Sequence, residues 1–409
     1  MENNISSYLE KNKYFAIKFL KDLIAIPTVN PPGINYEKIA SLIETECIKM
    51  GLKIRKIVTP RASLYKSGIR SGSNRVNLIC DWHVGSKKTL HINCHYDVVP
   101  ASRERWATDP FKGVVRSGKL YGRGSEDMKG NIAAVIFALR SLKKTGVKPG
   151  INIQLSFTPD EETGGAAGLG YLVKKGLVKA DYAMSEGYSG EYLAIGNKGV
   201  LWAEVVVKGR SSHASLPHLG VNSFERACKL VELLKRLQKR LSKKKTRFDI
   251  KDTLARVPTL VVGGFSSGGE KVNTVPGETM FTIDRRLIPE ETIGSAKKEI
   301  RDVVRNFNNM FPDSKAFVKF RGEGRPVVSK EDRYFFKTVT GSIKSIIAKS
   351  PKLCILPGAT DMRYFMTKGI PALGYSVKGG DSWHSANEFI YIKSLIDTSK
   401  IYADIITRI

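Results

Sequence analysis

Residues 89–97 read TLHINCHYD, a short apolar run that stops on two functional side chains, His95 and Asp97. Residues 89–94 have the length and composition of a buried strand. Extended backbone beyond it places His95 and Asp97 on one face, two residues apart. Ligands of open α/β sheets gather outside the carboxyl ends of strands, which is where this pair falls. A histidine there can give one ring nitrogen to a metal while a nearby acid fixes the tautomer or orients the ring. Alone, H-x-D is a pattern that chance produces often.

Working outward, VNLICDW (76–82), INIQLSFT (151–158) and DYAMS (181–185) are further strand-like runs, with a helical stretch at 131–142. Upstream, Phe15, Phe19, Leu20, Leu23 and Ile24 recur at helical spacing until Pro27, where the turn cluster PTVNPPG begins. Tyr36, Ile39, Ile43 and Cys47 mark a second helix. This alternation predicts an α/β domain whose sheet is covered by helices on both faces. From about 195 the pattern changes to the alternating strand LWAEVVVKG, a helix over 223–241, strands TLVVGG and TMFTIDRRL, and a helix over 291–307. That is an α+β insert of about 120 residues, within the range of small domains. The expected division is 1–194 and 319–409 for one domain built from both chain ends, with 195–318 as the insert.

The chain has 409 residues, 42% hydrophobic and 26% charged, which is ordinary for a globular protein and excludes a disordered class. No apolar run reaches the roughly 18–20 residues of a spanning helix, and MENNISSYLEKNKYF is too polar for a signal peptide. The expectation is a cytoplasmic protein with no membrane partner. Five scattered cysteines without a C-x-x-C pair read as buried free thiols. The net charge of +28 points to a nucleic acid or an anionic small-molecule partner. Its densest source, LKRLQKRLSKKKTR (234–247), carries leucines at helical spacing, so it reads as a surface helix with a solvated basic face and no nucleic-acid role.

Four more pieces carry chemistry. YGRGSEDMKG (121–130) is a glycine-punctuated loop that delivers Asp127 just before a helix, where an Asp can also be a simple N-cap. FTPDEETGG (157–165) ends an apolar strand with Asp160, Glu161 and Glu162 in succession, a costly cluster unless cations neutralise it. Glu186 follows DYAMS, and His384 stands in SWHSANE (382–388). Singly these are common features. Their order along the chain makes them a set.

That ordered set resembles the co-catalytic zinc metallopeptidase family that includes acetylornithine deacetylase, succinyl-diaminopimelate desuccinylase, aminoacylase and glutamate carboxypeptidase, from TVNPPG to HSANEF. The resemblance implies two zinc ions, for which cobalt or manganese can substitute on N/O ligands. It assigns His95 and Glu186 to one metal, Glu162 and His384 to the other, and Asp127 to both. Glu161 becomes the general acid/base and Asp97 the acid behind the metal histidine. A cis peptide is implied at Asp127–Met128. The insert becomes a dimerisation domain whose His213, in GRSSHAS, reaches a partner subunit's site to stabilise an oxyanion. Asn273 in VNTVP and Arg286 in DRRL would hold a substrate carboxylate, which suits a bidentate arginine. Gly358 and Thr360 in LPGATDMRYF, with Arg363, would line the substrate, although the family's Gly-Gly-Thr-Asp is here Gly-Ala-Thr-Asp. The implied activity is hydrolysis of an N-acyl amino acid by a homodimer, with a carboxypeptidase or dipeptidase as the alternative. No G-x-S-x-G elbow points to a covalent nucleophile.

Overall fold

A computed structural model describes residues 2–101, 105–381 and 383–409. The chain divides into two compact units, one formed by 1–196, 329–353 and 360–409 and the other by 197–328 and 354–359.

The first unit is built on a mixed sheet. Its strands lie in the order Lys53–Val58, Val76–Trp82, Asn152–Thr158, Thr89–His95, Tyr182–Tyr188, Ala372–Tyr375, Tyr192–Asn197. The pairs of Thr89–His95 with both of its neighbours, and of Tyr182–Tyr188 with Ala372–Tyr375, are parallel. Their carboxyl ends therefore open on the same edge. Alternation divides each strand between two faces. Leu90, Ile92 and Cys94 join Cys80, Leu155 and Met184 in a dry core with helices Tyr36–Lys49, Gly130–Thr145 and Ile392–Arg408. On the opposite face the sheet is polar. His91 lies between Gln154 (3.1 Å) and Ser156 (2.7 Å) and packs on Phe365 of the helix Met362–Thr367. Helices thus cover both faces, as the sequence predicts. Near the chain start, Lys13–Ile24 buries Phe19, Leu20, Leu23 and Ile24 and stops before Pro27.

In the second unit, strands Thr259–Gly268, Glu278–Leu287, Gly199–Lys208 and Lys315–Gly324 form an antiparallel sheet. Leu201, Ala203, Val205, Val207, Phe281 and Ile283 point to a core shared with helices Ser223–Leu241 and Ile293–Met310. The leucines of the basic run are buried there while Lys235, Arg236, Lys239 and Arg240 are exposed. Two expectations need correction. This unit ends at 328 rather than 318, because Lys315–Gly324 pairs with Gly199–Lys208 along its length. Cys228 is exposed on the helix Ser223–Leu241, whereas Cys47, Cys80, Cys94 and Cys354 are buried. Among the described residues no helix is long and apolar enough to cross a membrane.

Candidate metal centre

His95 is the last residue of its strand and is wholly buried. Parallel pairing sets it beside Thr158, so the chain leaving Thr158 through Pro159 brings Glu161 and Glu162 to the same edge. On the other side, Tyr182–Tyr188 carries Glu186. Asp127 arrives from the glycine loop, where Gly124 has φ +80° and the Asp127–Met128 peptide is cis. His384 lies in the loop between Ala372–Tyr375 and Ile392–Arg408. Ser382, at the start of its motif, lies outside the described residues.

His95 Nε2 lies 3.0 Å from Asp127 Oδ1. His384 Nε2 lies 3.5 Å from Asp127 Oδ2 and 3.1 Å from Glu162 Oε2. Ligand atoms of His95, Asp127 and Glu162 fall within 4.8 Å of one another, close enough to share one ion. Glu186 stands somewhat apart. Its Oε1 accepts the Asp361 N–H (2.6 Å) and its Oε2 accepts the Ser185 hydroxyl, rather than either meeting an imidazole.

Asp97 does more than back the histidine. His95 Nδ1 is 3.1 Å from the Asp97 carbonyl and 3.5 Å from its carboxylate. The carboxylate accepts the N–H groups of Glu161 and Glu162, both at 3.2 Å, and the Asn30 amide at 2.9 Å. One acid thus sets the histidine ring and the turn that carries both glutamates.

The electrostatics of this cluster favour binding of positive charge. Burial, then Asp127, pushes Glu162 up to about 7. Burial likewise pushes Glu161 well above the carboxylate range, against the pull of His95 and with Glu186 and Asp361 adding to it. Asp361 rises to about 7 through burial and Glu186. His384 is raised to about 10 by hydrogen bonds to Asp127 and Glu162. At His95, burial opposes the charged form, but Asp127 and Asp97 outweigh it and hold the ring protonated. Glu161, Glu162 and Asp361, pushed up beside imidazoles drawn toward their charged form, make a cluster that a cation would stabilise. Among the described residues, Glu162 Oε1 and Asp361 Oδ1 are buried without a hydrogen-bond partner. Divalent ions on this N/O set would satisfy both conditions, so the residues fit a metal centre.

Asp160 belongs to a different solution of the same problem. Its compensation is a guanidinium: Arg75 Nε donates at 2.9 Å with both side chains buried, while Arg75 Nη2 reaches the Pro32 carbonyl at 2.8 Å. Tyr36 and Asn30 add bonds of 3.1 and 3.0 Å to Asp160. The TVNPPG turn is thereby clamped onto the acid turn. Sequence reasoning missed Arg75, which stands 85 residues from its partner and has no local signature. Arg75→Met should destabilise the fold by about 3–5 kcal/mol, because a buried carboxylate loses its cation. Urea unfolding measures this, and a loss under about 1 kcal/mol would place the pair among the energetically neutral ones.

In the insert, strands Ser212–His213 and Thr274–Val275 pair, and Ala214 N–H donates to the Asn273 carbonyl (3.0 Å), which brings His213 and Asn273 together. His213 is exposed. Its Nδ1 accepts the Ser215 N–H (3.2 Å) and faces the Ser215 hydroxyl (2.6 Å), an arrangement that leaves a ring proton for Nε2. Arg286 spends Nε and Nη2 on Asp284, at 2.7 and 2.9 Å. Its neighbour Arg285 is fully buried on Glu291 and Glu299. Gly358 faces open space within the insert unit. Thr360, in the first unit, has a buried hydroxyl without a partner, and Arg363 donates to the Thr360 carbonyl (2.7 Å) and the Gly164 carbonyl (2.6 Å).

Comparison with known proteins agrees with this geometry. Residues 91–408 match the model of Peptidase family M20/M25/M40. An uncharacterised metallohydrolase of Methanocaldococcus jannaschii is 27% identical, covering 96% of this chain and 98% of its own length. Aminoacylase-1A of Rattus norvegicus is 26% identical over 90% of this chain and 88% of its own. Succinyl-diaminopimelate desuccinylase of Buchnera aphidicola is 28% identical over 80% and 85%. In fold, the chain resembles an M20 family metallo-carboxypeptidase of Sulfolobus solfataricus, with TM-score 0.77, 21% identity and coverage of 97% and 98%. It also resembles a dinuclear metal-binding M20 peptidase of Bacillus subtilis, with TM-score 0.69, 15% identity and coverage of 97% of each chain. A family match spanning more than three hundred residues, from the strand that carries His95 to the last helix, makes this chain a metallohydrolase of Peptidase family M20/M25/M40.

Proposed function

We propose that the protein is a dinuclear-metal hydrolase that cleaves the amide bond of an N-acyl amino acid, in the manner of a desuccinylase or deacetylase. The observation that carries this reading is the convergence of His95, Asp127, Glu162 and His384 within 3.0–3.5 Å contacts, with Glu161 one residue from a ligand. His95 and Glu186 would hold one ion, Glu162 and His384 the second, and Asp127 both. Imidazole and carboxylate ligands suit zinc, and cobalt or manganese can take their place. When bound, such a pair of ions polarises a scissile carbonyl and lowers the pKa of water between them.

The chain's own residues would supply the rest. Asp97 holds the amides of Glu161 and Glu162 and so fixes where both carboxylates point. Glu161 takes the proton of the attacking water and returns it to the leaving nitrogen. His213 offers an Nε2 proton to the oxyanion of a partner subunit's substrate, which makes the working form a homodimer. Asn273, Gly358 and Thr360 would line the substrate, with Arg286 using its remaining Nη1 for a substrate carboxylate. Glu at position 186, as in the family's deacylases and carboxypeptidases, supports an acyl amino acid over an aminopeptidase substrate. The resemblance in fold to a metallo-carboxypeptidase favours a carboxypeptidase or dipeptidase as the second reading.

The test is turnover of a panel containing N-succinyl-diaminopimelate, N-acetylornithine, other N-acyl amino acids and dipeptides, with zinc or cobalt added. An N-acyl amino acid should be the best substrate. Chelation should abolish hydrolysis and metal restore it. Preference for dipeptides would select the second reading, and full activity in demonstrably metal-free protein would overturn both.

A further inference from the structure

Two buried carboxylates that the proposed chemistry does not use bind the loops of Asp127 and His384 to each other. Glu388, four residues after His384, accepts the N–H groups of Gly124 (3.0 Å), Glu126 (2.8 Å) and Asp127 (3.2 Å). Glu126, one residue before Asp127, returns the contact: its Oε1 accepts the N–H groups of Gly379 (3.1 Å) and Asp381 (3.3 Å). Arg123 closes the ring, with Nη1 on Glu388 (2.6 Å) and Nη2 on the His384 carbonyl (3.1 Å). Arg123 and Glu388 are each 1% exposed and Glu126 4%. Gly379 makes room for this grip, since a Cβ there would sit 2.5 Å from the Glu126 carboxyl carbon.

The loop of His384 needs such a hold. Asp381, His384 and Asn387 have φ of 54°, 65° and 60°, a left-handed conformation that side-chain-bearing residues seldom adopt without support from their surroundings. The His384 side chain is 53% exposed while that of His95 is 0% exposed at a strand end. A ligand on an exposed loop owes its position to the bonds its loop makes. Here those bonds run directly to the loop of the other ligand, and charged acceptors and donors make them strong.

We propose that Glu388, with Glu126 and Arg123, is a positioning clasp that sets the separation of Asp127 and His384 and thereby the affinity of the second metal ion. The inference rests on the dinuclear reading above. Partners that orient metal ligands typically contribute 10–100-fold in metal affinity. Loss of the clasp should weigh more on the second ion, because two of that ion's proposed ligands, Asp127 and His384, sit in the clasped loops, whereas the first ion keeps His95, fixed by its strand and by Asp97, and Glu186.

The experiment is titration of metal-free protein with Co²⁺, following visible absorption and bound metal, for wild type, Glu388→Ala and Glu388→Gln. Wild type should bind two ions per chain. Glu388→Ala should bind the second ion about 10–100-fold more weakly and the first with a clearly smaller loss. Glu388→Gln, which keeps one acceptor oxygen for the amides, should fall between. Fewer than two ions in wild type would overturn the dinuclear reading itself. With two ions in wild type, unchanged second-site affinity in Glu388→Ala would overturn the clasp. Equal weakening of both sites would do the same, by showing a general structural role. If Glu388→Ala does not fold, Glu126→Gln is read in the same way.

Discussion

Glu161→Ala is expected to retain both metal ions and lose about 10²–10⁴-fold in turnover, with substrate affinity nearly unchanged. The reason lies in the turn Glu161–Thr163, whose neighbouring side chains leave the backbone in different directions. Glu162 meets His384 at 3.1 Å and stands in the ligand cluster. Glu161 is held by its amide to Asp97 and stands free to carry a proton. Glu162→Ala should therefore fail differently, by losing the second ion along with activity. Metal content beside turnover for the two variants separates the roles. Should Glu161→Ala lose metal while Glu162→Ala keeps it, the two assignments are exchanged.

His213→Ala should lower turnover by about 10²–10³-fold, the usual effect of removing one oxyanion donor. The exposed ring, with Nδ1 engaged by Ser215 and a proton left for Nε2, is suited to that task. If the donor acts across a twofold dimer, mixing inactive His213→Ala and Glu161→Ala proteins rebuilds one intact site in each heterodimer. Random exchange should then recover roughly a quarter of wild-type turnover. Verified heterodimers without recovery would show that His213 works within its own chain or not at all.

How much of this could be read from sequence depended on whether a residue's place is set locally. His95, Glu161, Glu162 and Glu186 follow apolar runs, and the end of a strand dictates where its next residues go. His384 has no such frame, and only its place in an ordered set marked it. Arg123 and Glu388 are 265 residues apart, and no periodicity within either segment reports their pairing. The same holds for Arg75 and Asp160. Edge strands were hard to see for another reason. KIRKIV (53–58) and KAFVKFRGEG (315–324) bury only part of one face and carry the charges that protect an edge. Missing the second of them moved the expected end of the insert by ten residues.

The unit that holds the ligands is assembled from both sides of the insert, and this imposes an order of events on a chain being made. His95, Asp127, Glu162 and Glu186 leave the ribosome first, whereas His384 follows 198 positions after Glu186 (384 − 186). At translation rates of about 5–20 residues per second the interval is roughly 10–40 s. During it the insert, with a core of its own, can fold while the four segments that carry His95, Asp127, Glu162 and Glu186 stand without their fifth member. The tail that emerges last carries His384 and Glu388 together, so the proposed ligand set and the clasp that holds it are completed in a single late step.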